Sequence, residues 1–227
     1  MDNLFLIFGY GIPTDILKDE NYNFYLKSVF NKIYDITLKN KATKPLIICC
    51  GGKTDTVKPY TRNEADEIIK FFDKFIKQKS FLNSITKNWL FISEKKSLSA
   101  LENIIESKKI IERRKIKEVN IFIFCEQTRE KQIKILATKI FDKNYNFKII
   151  PIDFDVSANR YLSPDFIAKK ERANLENSLW ALKNPKNLKK YHAALVEKIE
   201  YLRKAGPKIH AEAVKTWWEQ KFKELKK

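Results

Sequence analysis

The chain has 227 residues, with 45 Lys and Arg against 28 Asp and Glu, a formal net charge of +17, and 44% hydrophobic residues. That length accommodates one full domain with an appendage or two small domains, and the apolar fraction suffices for a packed core, which excludes wholesale disorder. No apolar run approaches the roughly 20 residues that a membrane-spanning helix needs.

Short apolar runs alternate with longer amphipathic ones along the first two-thirds of the sequence. Leu4–Phe8 reads as a buried strand; it is too short for a signal-peptide core, and no basic residue precedes it. A loop with Gly9, Gly11 and Pro13 leads into a helix near Asn21–Lys39. Leu46–Cys50 is the second strand, and a loop from Gly51 to Tyr60 precedes a helix near Arg62–Lys79. Trp89–Ser93, Val119–Phe124 and Phe147–Ile152 are the third to fifth strands, with helices near Leu98–Arg114 and Arg129–Asp142 between them. Five apolar strands separated by helices of about four turns predict a Rossmann-like α/β fold, a doubly wound parallel sheet with helices on both faces. This domain is expected over residues 1–156.

After Asp155 the strand pattern stops, and residues 157–227 are expected to form a helical extension packed on the α/β domain. Ser163-Pro164, Asn184-Pro185 and Gly206-Pro207 are helix-start signals. They predict helices near Pro164–Leu182, Pro185–Lys204 and Pro207–Leu225. The last carries Val214, Trp217, Trp218, Lys221, Phe222 and Leu225 at spacings that make one apolar stripe. Packing on the α/β domain explains such a stripe; a partner surface, including one for a homo-oligomer, is the alternative.

The positive charge invites a nucleic-acid reading. Two features weigh against it. Lys greatly outnumbers Arg beside abundant Asn, Ile and Phe, a skew that AT-rich coding produces, and the lysines interleave with Glu and Asp along helices as on a solvated face. Cys49, Cys50 and Cys125 lack metal-ligand spacing, and Cys49 and Cys50 must face opposite sides of their strand. A reducing cytoplasm is the expected location, without a membrane partner. The two histidines, His192 and His210, both lie in the C-terminal part, so neither a zinc site nor a histidine-based triad is expected in the α/β domain.

In an open parallel sheet the ligand sits beyond the strand C-termini, where strand order reverses. The loop leaving each strand therefore decides the site. After the first strand come Gly9-Tyr10-Gly11, which would let backbone amides approach a ligand closely but lack a full dinucleotide fingerprint. After the second come Gly51-Gly52-Lys53, an anion-turn candidate without P-loop spacing. Thr61 with Glu64, and Ser99 with Glu102, each fit a capping box, so helix capping competes with ligand binding for both glutamates. Ser97, Glu102 and Asn103 lie beyond the third strand; Glu126-Gln127-Thr128-Arg129 lie beyond the fourth, with Arg129 able to clamp a phosphate or carboxylate.

Taken together, these loops resemble the bacterial SanA/YdcF-like family, a domain of unknown function. The resemblance rests on Gly9 and Gly11, Cys50-Gly51-Gly52, Glu64-Ala65, and Ser97 with Glu102-Asn103, and spans roughly residues 3–155. Cys50 stands where the family usually has serine, Ser99 and Ala100 replace an Asn-Thr pair, and Arg129 and Gln132 occupy the positions of a late His and Arg. Many family members carry an N-terminal membrane anchor; this chain resembles the soluble branch. The resemblance implies a Rossmann-like fold and a nucleotide-like or S-adenosylmethionine-like ligand, without a settled activity.

The residues thus predict a small anionic ligand at the sheet's C-terminal edge. Gly9, Gly11, Gly51, Gly52 and Lys53 would hold the anion, Glu64 and Glu102 would serve as acid/base or hydroxyl-binding groups, Ser97 and Asn103 would orient the ligand, and Arg129 would close the site. Glu64, Glu102 and Asn103 are expected to share one hollow. Whether a reaction accompanies binding, or the chain is a non-catalytic module, the sequence leaves open.

Overall fold

The structure is a computed structural model that describes residues 2–39, 44–117, 119–143, 145–153, 163–206 and 210–224. It divides into two compact units, Met1–Thr54 with Arg62–Phe154, and Asp55–Thr61 with Asp155–Lys227.

The first unit is built on five parallel strands: β1 (Asp2–Phe8), β2 (Leu46–Cys50), β3 (Leu90–Glu94), β4 (Val119–Glu126) and β5 (Asn146–Ile152). Their order across the sheet is β3-β2-β1-β4-β5. Helices α1 (Glu20–Lys39), α2 (Glu64–Lys77), α3 (Ser80–Thr86), α4 (Ala100–Arg113) and α5 (Glu130–Ile140) make the connections. The expected doubly wound α/β architecture is what forms. Leu4–Phe8 of β1 and the whole of β2 are unbroken apolar runs because both faces of a parallel sheet are covered; Leu4, Phe5, Leu6 and Ile7 are all fully buried.

The two faces carry different helices. Phe5, Ile7, Ile47 and Cys49 join Tyr25, Val29 and Phe30 of α1 and Ile68 and Phe72 of α2 in one aromatic-rich core. Phe5 stacks on Phe122 at 5.4 Å, and Phe30 meets Trp89 at 5.0 Å between ring centroids. Cys50, one residue along from Cys49, turns to the opposite face, where its Sγ lies 3.2 Å from Ser107 Oγ of α4. The alternation expected of neighbouring strand residues is thus realised by two buried thiols.

The second helix departs from the sequence reading. The helix expected to Lys79 ends at Lys77, and a separate helix, α3, starts at Ser80. Lys79 adopts an extended backbone (φ −141°, ψ 127°), which restarts the chain in a new direction so that Leu82 joins the core. Near-continuous helical propensity hides such a break.

The second unit contains α6 (Pro164–Ala181), α7 (Pro185–Ala205) and α8 (His210–Glu224). The Ser-Pro and Asn-Pro signals act as expected: Ser163 Oγ accepts from Phe166 N–H at 3.3 Å and Asn184 Oδ1 from Asn187 N–H at 2.8 Å, with proline in each first turn. The expected α8 boundaries at Pro207 and Leu225 lie outside the described residues. Its tryptophan stripe has partners within the helical unit. Trp218 packs with Ala173 and Phe166 of α6, and Trp217 lies 5.4 Å from the Tyr201 ring of α7. The segment 55–61 belongs to this unit because Arg203 of α7 donates to the Asp55 carbonyl at 3.0 Å and covers the Tyr60 ring at 5.0 Å. Among the described residues, no helix is long and apolar enough to cross a membrane.

Candidate functional site

Strand order reverses between β1 and β4, and it is beyond the strand C-termini at such a reversal that open parallel sheets generally take ligands. The Gly9–Gly11 loop follows β1 there, and a turn follows β4. Arg129, expected at the opening of a helix, ends a 3₁₀ turn, Gln127–Arg129, and is the N-cap of α5. The Glu126 carboxylate accepts from Thr128 N–H at 3.1 Å and from the Thr128 hydroxyl, which tightens the chain into this turn. Arg129 is half-buried, donates to the Gly9 carbonyl at 3.2 Å, and lies 4.1 Å from the Tyr10 ring centroid. A guanidinium resting on an aromatic face is held in a fixed plane.

Glu64 belongs to the same neighbourhood. The Thr61–Glu64 capping box expected from spacing does not form: Asn63 is the N-cap, and Glu64 is the first helical residue of α2. Its carboxylate reaches across to β1's loop, accepting from Gly11 N–H, and its Oε1 lies 3.0 Å from Tyr22 Oη. A Cβ at Gly9 would sit 2.3 Å from Glu64 Cδ, and one at Gly51 would sit 2.6 Å from Glu64 Cβ. The absent side chains at Gly9 and Gly51 make room for this glutamate. Burial pushes the Glu64 pKa up, against the lowering influence of Tyr22, the Gly11 amide and Arg129.

The other candidates gather around a second set of contacts. The amides expected to cradle an anion at Gly51 and Gly52 donate to the carbonyls of Glu94 (2.9 Å) and Ser97 (2.6 Å). Ser97 in turn gives its hydroxyl to Glu94, whose other oxygen accepts from Lys96 N–H at 2.6 Å and Ser97 N–H at 3.1 Å. Lys53 is exposed. Ser99 caps α4 by accepting from Glu102 N–H at 3.3 Å, while the Glu102 carboxylate accepts from Leu98 N–H at 2.7 Å. Of the two capping boxes read from spacing, this one exists, displaced by one residue. Asn103 is buried in the first turn of α4.

Glu64 and Glu102 are therefore held by different partners, the first by the loop after β1 and the second by its own helix start. We expect Glu102→Ala to cost about 1 kcal/mol in chemical denaturation, the scale of one lost hydrogen bond, and to leave affinity for anionic ligands unchanged.

Residues the sequence reading did not single out also shape the site. Tyr22 and Tyr25 of α1, both buried, are two of them. Tyr22 accepts from Tyr10 N–H at 2.6 Å and contacts the Gly11 carbonyl, and Tyr25 donates to the Phe8 carbonyl at 2.7 Å. Both hydroxyls brace the exit of β1. Their local signal was faint: two tyrosines, three apart, pointing at a glycine loop.

The three thiols are buried and unreactive by environment. Burial pushes Cys49 and Cys50 far up and Cys125 up to about 12, so none offers a thiolate at neutral pH. Among the described residues, no cluster of three or more His, Cys, Asp or Glu side chains could hold a metal ion. No protein-family model, curated protein or solved structure matches the chain.

Proposed function

We propose that this chain binds a small anionic, nucleotide-like ligand at the crevice between β1 and β4, with Arg129 as the cation that receives it. One observation carries the reading: at the reversal point of a β3-β2-β1-β4-β5 sheet, an arginine is fixed half-buried by the Gly9 carbonyl and the Tyr10 ring. A planar guanidinium in that position suits a phosphate or carboxylate bidentately, and Tyr10 supplies an aromatic edge beside it. The loop resemblance supports the same reading. Gly9, Gly11, Gly51 and Glu64, which carry part of it, are neighbours in space. In this reading Gly51 and Gly52 shape the floor through their packing rather than through their amides. S-adenosylmethionine would present its carboxylate to the same arginine. The buried thiols argue against covalent cysteine chemistry, so binding is the property proposed first.

The test is thermal unfolding of the whole chain with ATP, NAD, S-adenosylmethionine and inorganic phosphate added separately, followed by calorimetric affinities. At least one should raise the melting temperature, since a ligand that binds only the native state stabilises it by mass action. Arg129→Ala should weaken that ligand by tenfold or more, and Arg129→Lys should not restore it, because a point charge lacks the planar fork. No stabilisation by any of the four, or equal affinity in Arg129→Ala, would overturn the reading.

A further inference from the structure

Around Glu64, four polar contacts compete for three hydrogens. Tyr10 N–H donates to Tyr22 Oη at 2.6 Å, and Gly11 N–H donates to Glu64 Oε1. Tyr22 Oη also contacts the Gly11 carbonyl and lies 3.0 Å from Glu64 Oε1. A tyrosine hydroxyl has one hydrogen, and a carbonyl has none. If that hydrogen goes to Gly11, the Tyr22–Glu64 contact has no hydrogen unless the carboxyl brings one. If it goes to Glu64, two oxygens are pressed together at Tyr22 and Gly11 with nothing between them. A fourth hydrogen resolves the cluster, and Glu64 is the group that can carry it.

The surrounding charges permit this. From α1, Tyr22 and Tyr25 face the carboxyl; both remain protonated because burial pushes their pKa values well up. From β2, the Cys50 thiol is held neutral by the same cause. From the turn after β4, Arg129 favours the ionised form, yet desolvation outweighs it and the balance for Glu64 is upward. Glu64 as a whole is 6% exposed, so water offers its carboxyl little relief.

We propose that Glu64 carries its proton at neutral pH, donating it from Oε1 to Tyr22 Oη, and that this neutral carboxyl latches the Gly9–Gly11 loop in the shape that admits an anion. The second half rests on the anion-site reading above; the first does not. A carboxylate beside Arg129 would compete with the ligand for the guanidinium, whereas a neutral carboxyl does not. Anion affinity is then highest while Glu64 is protonated. It falls, by up to about tenfold per pH unit, once pH exceeds its folded-state pKa. The stability linkage has the same sign. A carboxyl whose pKa is raised from 4.5 binds more protons folded than unfolded. Its contribution is complete below that value and is lost as pH rises toward the elevated one.

Isotope-edited infrared spectroscopy on the full chain, with carboxyl-labelled glutamate, tests the proton directly. A protonated-carboxyl carbonyl band is expected at neutral pH in the wild type, absent from Glu64→Gln and displaced in Tyr22→Phe. The Tyr22→Phe arm assigns the band even if Glu64→Gln does not fold. ATP affinity measured across pH is expected to fall on the alkaline side in the wild type and to stay flat in Glu64→Gln. Absence of the band overturns the proton and means that Tyr22 shares one hydrogen between Gly11 and Glu64. A band with pH-independent ATP affinity overturns the latch. If no anion binds the wild type at any pH, the anion-site reading fails and the latch with it, while the infrared result still decides the proton.

Discussion

Gly9→Ala is expected to be among the most damaging single-methyl additions in this chain, and Glu64→Ala should relieve it. A Cβ at Gly9 would lie 2.3 Å from both Cδ and Oε1 of Glu64 and 2.5 Å from its Cγ. Those atoms cannot swing away freely, because the carboxyl is buried, tied to Gly11 N–H and packed against Gly51. Overpacking a tight site costs about 1–3 kcal/mol, and leaving a buried polar group unpaired adds about 1–3 kcal/mol more. A total loss of about 2–6 kcal/mol in urea unfolding is therefore expected. In a Glu64→Ala background the obstructing atoms are gone, and Gly9→Ala should cost under about 1 kcal/mol. Equal costs in both backgrounds would mean that Gly9 is required by its own backbone or by something other than Glu64. The same cycle separates fold from function: rescue of stability without recovery of ATP affinity is expected, because Glu64→Ala removes the carboxyl that shapes the loop.

This coupling explains why the fold was far more legible than the site. β2 was readable to the residue because Leu46–Cys50 is an apolar run bounded by a proline and a glycine pair, and burial on both faces leaves no other economical placement. The N-caps of α6 and α7 were readable because Ser-Pro and Asn-Pro are local signals whose chemistry is completed within four residues. The site depends on contacts that span the chain. Gly11 and Glu64 are 53 positions apart, and Arg129 meets Gly9 across 120. A glycine also looks the same in sequence whether a phosphate or a protein side chain fills the space it leaves. Gly51 and Gly52 suggested an anion cradle, yet the space beside Gly51 holds Glu64, and both amides already have carbonyl partners. Likewise Thr61-x-x-Glu64 has the spacing of a capping box, but the reach to Gly11 and Tyr22 prevails over the local alternative. Tyr22 was not singled out in the sequence, and only the tertiary structure shows what its hydroxyl meets.

Gly52→Ala should show the opposite behaviour from Gly9→Ala, with a comparable cost and no single-residue rescue. Its Cβ would approach the carbonyl oxygens of Lys95 at 2.8 Å and Ser97 at 2.9 Å, both backbone atoms. Gly52 N–H already donates to the Ser97 carbonyl and Gly51 N–H to the Glu94 carbonyl, so the ends of β2 and β3 are zipped main chain to main chain. Nothing can be truncated to make room; the loop after β3 has to move as a body. That loop is in turn pinned by Glu94, 3% exposed, which receives two amides and one hydroxyl from Lys96 and Ser97. Displacing it by even a few tenths of an ångström strains all of these bonds together. We expect Gly52→Ala to lose about 2–4 kcal/mol in urea unfolding, and Glu94→Ala, which leaves two buried Ser97 donors and the Lys96 amide unpaired, to lose about 3 kcal/mol or more. Since both act on the same loop, the double variant should cost clearly less than the sum of the two. Additive losses would mean that Gly52 and Glu94 brace separate structures. The contrast between the two glycines comes from the atoms that face each: at Gly9 a side chain that mutation can remove, at Gly52 a backbone that it cannot.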